Sequence, residues 1–260
     1  WTRSVVSMSI ASYSVDTRPA SRVGKFGRSE ERDLTTGVFQ NLRAAPADLR
    51  LGGIFFVVGF APITALALSI IGWMPLHRGA PLIVLPALCI GGILAVRHPE
   101  YGRLAGLGLL LGMLAVLIYD CTRVPFIIAG VWGDFIPDIA KWLFNSPDPN
   151  WVVGYGWRYL GNGGGMGLAF VVGYGVLRPR VNPWVLGIGY GVGIWSCLLL
   201  TLLLAPQEVA LFELTPLTLT LSLIGHVVYG GVLALGITAP PLLNALALPG
   251  RASVTEPRSA

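Results

Sequence analysis

The sequence predicts an all-α protein, a polytopic membrane helix bundle of about six transmembrane helices with both termini cytoplasmic. Three observations predict it. Hydrophobic residues make up 54% of the 260-residue chain and charged residues only 12%, where soluble domains carry about 25% charged residues. Six apolar stretches approach or exceed the roughly 20 residues that a helix needs to cross a bilayer. The basic residues also collect on alternate connections, as the positive-inside rule expects.

Residues 1–50 read as a polar, basic tail without a packed structure of its own, rich in Ser and Arg. It contains no apolar core of the kind that marks a secretory signal peptide. The sequence starts at Trp1, and Met8 is a candidate initiator. Val38–Leu49 fits a short interfacial helix, with Phe39 and Leu42 on one side and Arg43 and Arg50 near the headgroups. Residues 51–243 form the membrane domain, and 244–260 a short C-terminal tail.

The first apolar segment is Leu51–Trp73, ending on an interfacial Trp. The second, Ala80–Val96, is short and carries Pro81 and Pro86, so a re-entrant path is its alternative. The third starts at Leu104, runs uncharged to Tyr119, meets Asp120 and Arg123, breaks at Pro125 and continues to Trp132. The fourth, Trp151–Leu177, holds nine glycines and one charge, Arg158. A lone arginine in hydrocarbon needs a partner or water, so this segment belongs inside the bundle. The fifth is Trp184–Ala205, and the sixth is Pro216–Ile237, extending toward Leu243. Between the third and fourth, Gly133–Asn150 fits a short helix lying in the outer interface, stopped by Ser146–Pro147–Asp148–Pro149.

Placing the N-terminal tail inside puts 14 of the 18 Lys+Arg on the cytoplasmic side. The outer connections then keep Arg78 and Lys141 against Asp134, Asp138, Asp148, Glu208 and Glu213. Removing one span inverts the later loops and destroys the pattern. Each half, 51–132 and 151–243, holds three spans, so any internal repeat would be inverted.

The basic pI near 9.4 is therefore a topology signal and not a nucleic-acid footprint, since no base-stacking aromatics are interleaved with the basic residues. Cys89, Cys121 and Cys197 show neither metal-ligand nor disulfide spacing. Haem between helices wants two axial ligands, and only His226 lies within a span. Ser196 and Ser222 have no flanking hydrolase signature. No cofactor is expected, and an enzyme is disfavoured. The run VVGYG at Val152–Gly156 and Val171–Gly175 resembles a potassium filter, but valine replaces the filter threonine and no pore helix adjoins it. Gly-Tyr-Gly in a tightly packed helix is the simpler account.

The polar residues within the spans mark the candidate site. At about 1.5 Å per residue, Asp120 lies about 6 Å, Arg158 about 10 Å and His226 about 15 Å below the outer face of a ~30 Å core. Tyr155, Arg158 and Asn162 share a face of the fourth segment; Ser222, His226 and Tyr229 share one of the sixth. Asp120, Arg123, Tyr155, Arg158, Asn162, His226 and Tyr229 would thus line a polar cavity open to the outside. A structural ion pair, Asp120 with Arg158 or Arg123, is the equally weighted alternative. GxxxG spacings at Gly161/Gly165 and Gly187/Gly191 predict that the fourth and fifth segments pack closely on each other.

The second half has a recognisable order: a Gly-rich helix ending at Arg178 and Arg180, Asn182-Pro183-Trp184, a Gly-rich helix ending in Ala205-Pro206, Phe212-Glu213-Leu214, and Gly225-His226-Val227-Val228-Tyr229-Gly230. Over about residues 150–235 it resembles the YagU-like group of uncharacterised bacterial inner-membrane proteins. The resemblance implies a bacterial inner (plasma) membrane location and a role for His226; it implies no substrate. Two functions remain open: transport of a small solute, anion or proton through the polar cavity, or a non-catalytic accessory subunit that packs on another membrane protein, or on a second copy of itself, through Gly-rich faces.

Overall fold

The computed structural model describes residues 46–177, 179–205 and 214–239, all in the unit that spans residues 44–260. The described residues are mainly helical, with no strand among them. Six helices are long and apolar enough to cross a membrane: α1 (Ala47–Ile70), α2 (Leu76–Arg97), α3 (Pro99–Ile128), α5 (Trp151–Leu177), α6 (Pro183–Leu204) and α7 (Pro216–Thr238). A seventh, short helix, α4 (Ile139–Phe144), follows a 3₁₀ turn at Ile136–Asp138. Large apolar side chains such as Val57, Leu82, Leu110 and Leu203 face outward, where a soluble fold would place polar ones. The chain is a multi-pass membrane protein.

Local chemistry sets the helix ends. Asn150 caps α5 by accepting from the Val153 amide at 3.1 Å. Asn182 accepts from the Trp184 amide ahead of Pro183, the first residue of α6. Thr215 and Thr218 form a reciprocal capping box ahead of α7, with Pro216 at its first position. α4 stops at Asn145, which takes a left-handed conformation (φ 51°) that asparagine tolerates.

Two spans contain a wide, π-helical turn. In α2 it covers Ala80–Val84, which contains Pro81 and is followed by Pro86, two residues with no amide hydrogen to donate to a regular helix. In α5 it covers Trp157–Gly164, the stretch that carries Arg158 and Asn162. π-turns recur at functional sites because they re-aim side chains.

The order of packing follows the small residues. α5 is the inner helix: 67% of its apolar stretch is buried inside the bundle, against 17% for α6. A Cβ on Gly165 would strike the Gly59 carbonyl of α1, and one on Gly112 of α3 would strike the Gly163 carbonyl of α5. These helices meet backbone to backbone, which only glycine permits. α6 packs almost wholly on α7, with Gly187 and Gly191 against Gly230 and the His226 carbonyl.

Several expectations are corrected. The glycines of α5 do not meet those of α6: Gly161 and Gly165 face Pro62 and Gly59 of α1, and Gly187 and Gly191 face α7. Spacing identifies a close-packing face but carries no information about its partner. Pro125 does not break α3, which runs on to Ile128; the proline stands in its last turn, where few hydrogen bonds remain to be lost. The second segment gains residues 76–79 and reaches 22 residues, long enough to span. The expected short helix within 133–150 is present as α4. Ile136 and Ile139 are buried in a cluster with Leu66, Ile70, Leu76 and Leu202, and Ala140 is buried too. Of the proposed helix Val38–Leu49, residues 38–45 lie outside the described residues, and Ala47–Leu49 belong to the first turns of α1. Glu208, Glu213, Arg178 and the extension to Leu243 also lie outside them.

Candidate functional site

Away from their end turns, the six spans carry two arginines, Arg123 and Arg158, against one acid, Asp120. α3 presents Asp120 and Arg123 three residues apart, hence on one face, and both are buried. The π-turn of α5 carries Arg158 toward that face. Its Nε donates to both oxygens of Asp120, at 3.0 and 2.9 Å, and Nη2 donates to Oδ1. This is the two-pronged geometry that a planar guanidinium offers a carboxylate.

Arg123 takes a different acid. Its Nη2 donates to Oδ1 of Asp134 at 2.9 Å and to the Gly133 carbonyl at 3.3 Å. Its guanidinium stands over the rings of Trp132 and Phe135, at 5.3 and 5.6 Å. Asp134 also accepts from the Ile136 amide and, through Oδ2, from the Tyr155 hydroxyl at 3.0 Å. It thereby ties the 3₁₀ turn to α3 and α5 together. Asp134 was read from the sequence only as a topology charge. The signal that identifies it is the charge count itself: one acid cannot serve two buried arginines.

Tyr119 joins the ion pair to His226. The Arg158 guanidinium lies 4.9 Å from the centre of its ring, and the His226 ring meets it edge-on at 5.3 Å. Gly225 makes this possible, since a Cβ there would collide with the Tyr119 ring. His226 Nδ1 lies 2.7 Å from the Ser222 carbonyl. A carbonyl only accepts, so Nδ1 carries the proton and Nε2 of the neutral ring is an acceptor. Tyr229 donates to the Gly163 carbonyl at 2.7 Å and Tyr190 to the Met166 carbonyl at 2.8 Å. Both hydroxyls thus hold α5 in and just beyond its π-turn.

Beside these groups lies a cavity of about 650 Å³ between α1, α3, α5, α6 and α7. Arg123, Arg158, Asn162, His226 and Tyr229 line it; Asp120 and Tyr155 stand behind the lining. Asn162 Oδ1 is buried with no hydrogen-bond partner among the described residues. The walls differ from the expected polar cavity. They are mostly aliphatic, with polar groups gathered around Tyr119. Among the described residues no three His, Cys, Asp or Glu side chains come together as a metal site.

Comparison with family models, curated proteins and solved structures gave no match. The reading of the site therefore rests on its own geometry. Both VVGYG runs are helical, with their carbonyls committed to helix, unlike an extended filter.

Proposed function

We propose that this protein is a bacterial inner-membrane carrier that takes a small solute into the cavity beside Arg158, Asn162 and His226. The observation that carries this reading is the cavity: about 650 Å³, bounded by five spans, with a polar end. That size is typical of ligand sites. The two ion pairs speak against a bare anion as cargo, because each arginine already holds a carboxylate. The YagU-like order of the second half and the loop charges support the inner-membrane location.

The test is reconstitution in liposomes, with a pH-sensitive dye and a panel of neutral, anionic and cationic solutes. Flux above empty vesicles for one class, lost in His226→Phe, is the expected outcome. Absence of flux for every class at every imposed gradient removes the carrier reading. The accessory-subunit reading is favoured by one observation: a Cβ on Gly189 or Gly193 of α6 would meet nothing within 4 Å, so a partner helix has room there. Recovery of a stoichiometric partner in mild detergent would support it.

A further inference from the structure

We infer that the cavity takes an amphiphile dissolved in the bilayer, with an apolar body and an uncharged, hydrogen-donating head such as a hydroxyl, entering sideways between α1 and α6. The inference rests on the carrier reading only in using the same cavity.

The head follows from the polar end. Arg158 and Arg123 are neutralised by Asp120 and Asp134, so an anionic head would have to displace a carboxylate from a geometry it already satisfies. A cationic head would leave water to stand beside two guanidinium groups. What the polar end has to spare is two acceptors and one buried donor, Arg123 Nη1, and a hydroxyl, which both donates and accepts, can serve either kind. Asn162 Oδ1 accepts nothing among the described residues, and His226 Nε2 is left as an acceptor once Nδ1 is committed to the Ser222 carbonyl. A hydroxyl donates to such an oxygen or nitrogen and carries no charge to desolvate.

The body follows from the walls. Ile63, Leu66 and Ile70 of α1 and Ile194, Leu198 and Leu202 of α6 all line the cavity. Such walls reward an apolar chain by about 0.8 kcal/mol per buried methylene when it comes from water. They repel a small polar solute, which would lose its hydration along most of their length.

The route follows from the openings. At the end bearing residues 129–150, Ile136 and Ile139 lie over the cavity and are themselves buried. Along its side, α6 packs chiefly on α7 and has few contacts with α1, among them Tyr190 edge-on to Phe60 at 6.3 Å. Gly189, Gly193 and Cys197 form one line along α6; all three border the cavity and are exposed, as is Thr64 on α1. Because both helices span, this gap faces hydrocarbon.

The test uses the full chain in lipid nanodiscs and three diazirine probes on one C16 chain, bearing a hydroxyl, a carboxylate or a trimethylammonium head. A phosphatidylcholine with the diazirine in its acyl chain is the fourth probe. The alcohol should label α6 and α1 peptides saturably, and unlabelled hexadecanol should compete. Asn162→Leu should weaken that competition about tenfold, the effect of one lost hydrogen bond of ordinary strength. Gly193→Leu should reduce labelling at least as much by filling the gap; its position faces open space, so the fold tolerates it, and an unchanged thermal midpoint verifies this. Stronger labelling by the carboxylate or ammonium probe overturns the inference, as does labelling that is non-saturable, equal for the phospholipid, or unchanged in both variants. Saturable alcohol labelling without flux of any solute leaves the ligand class standing and removes the carrier. Flux of a polar solute without saturable labelling does the reverse.

Discussion

Arg158 and Asp120, 38 positions apart in sequence, close a two-pronged ion pair between α5 and α3 with the Tyr119 ring packed against the guanidinium. The pair sits among membrane-spanning helices, where an unmatched charge has no water to retreat to. Removing one partner of a buried pair costs about 3–5 kcal/mol, whereas removing both leaves no stranded charge. Arg158→Leu and Asp120→Leu should each lower the thermal midpoint of the purified protein sharply. The double variant should regain more than half of either loss. Purely additive losses would mean that the two residues are not each other's partners.

The second ion pair acts on the 133–144 segment. Arg123 and Tyr155 both reach it through Asp134. Tyr155→Phe deletes one hydrogen bond, worth about 1 kcal/mol. Asp134→Leu deletes the shared acceptor and strands Arg123. Amide exchange of Ile136–Phe144 should rise modestly in the first variant and strongly in the second, while exchange in α7 stays as it was. A uniform rise across all helices would show that the pair supports the whole bundle and not the segment.

Six spans were legible because hydrocarbon imposes a length and forbids unpaired charge, and both constraints are written in composition alone. The closeness of Asp120 and Arg158 was legible too, since both sit at similar depth and buried charges seek partners. Asp134 was missed because loop acids were counted only as topology signals. The π-turn at Trp157–Gly164 could not be read: hydrophobic periodicity reports a helix, not a locally widened one. Partner choice of the glycines failed for a related reason. Gly165 meets Gly59 and Gly191 meets the His226 carbonyl, contacts between segments that no local pattern connects.

That partner choice is testable on one helix. Gly191 and Gly193 are two residues apart on α6, but a Cβ on Gly191 would run into the His226 backbone and one on Gly193 would meet nothing. Gly191→Ala forces α6 away from α7 and should cost about 1–3 kcal/mol, as overpacking does. Gly193→Ala should be neutral or slightly stabilising, since alanine favours helix over glycine by about 1 kcal/mol. Thermal midpoints of the two variants decide it. Equal effects would place α6 differently on α7.

Asn162 offers the test that separates a site from a scaffold. Its Oδ1 is buried without a partner among the described residues, and an unsatisfied buried acceptor costs about 1–3 kcal/mol. Leucine has nearly the same size and no polar atom to strand. If Asn162 serves only packing, nothing is lost by the exchange. Asn162→Leu should therefore raise the thermal midpoint of the ligand-free protein by a few degrees, in contrast to the losses at Arg158 and Asp120. The same variant should lose ligand binding, because the acceptor facing the cavity is gone. A stability gain together with a binding loss is the signature of a residue kept for function at the expense of the fold. A lowered midpoint would show that the Asn162 amide is satisfied within the bundle and that the polar end of the cavity has no free acceptor to offer there.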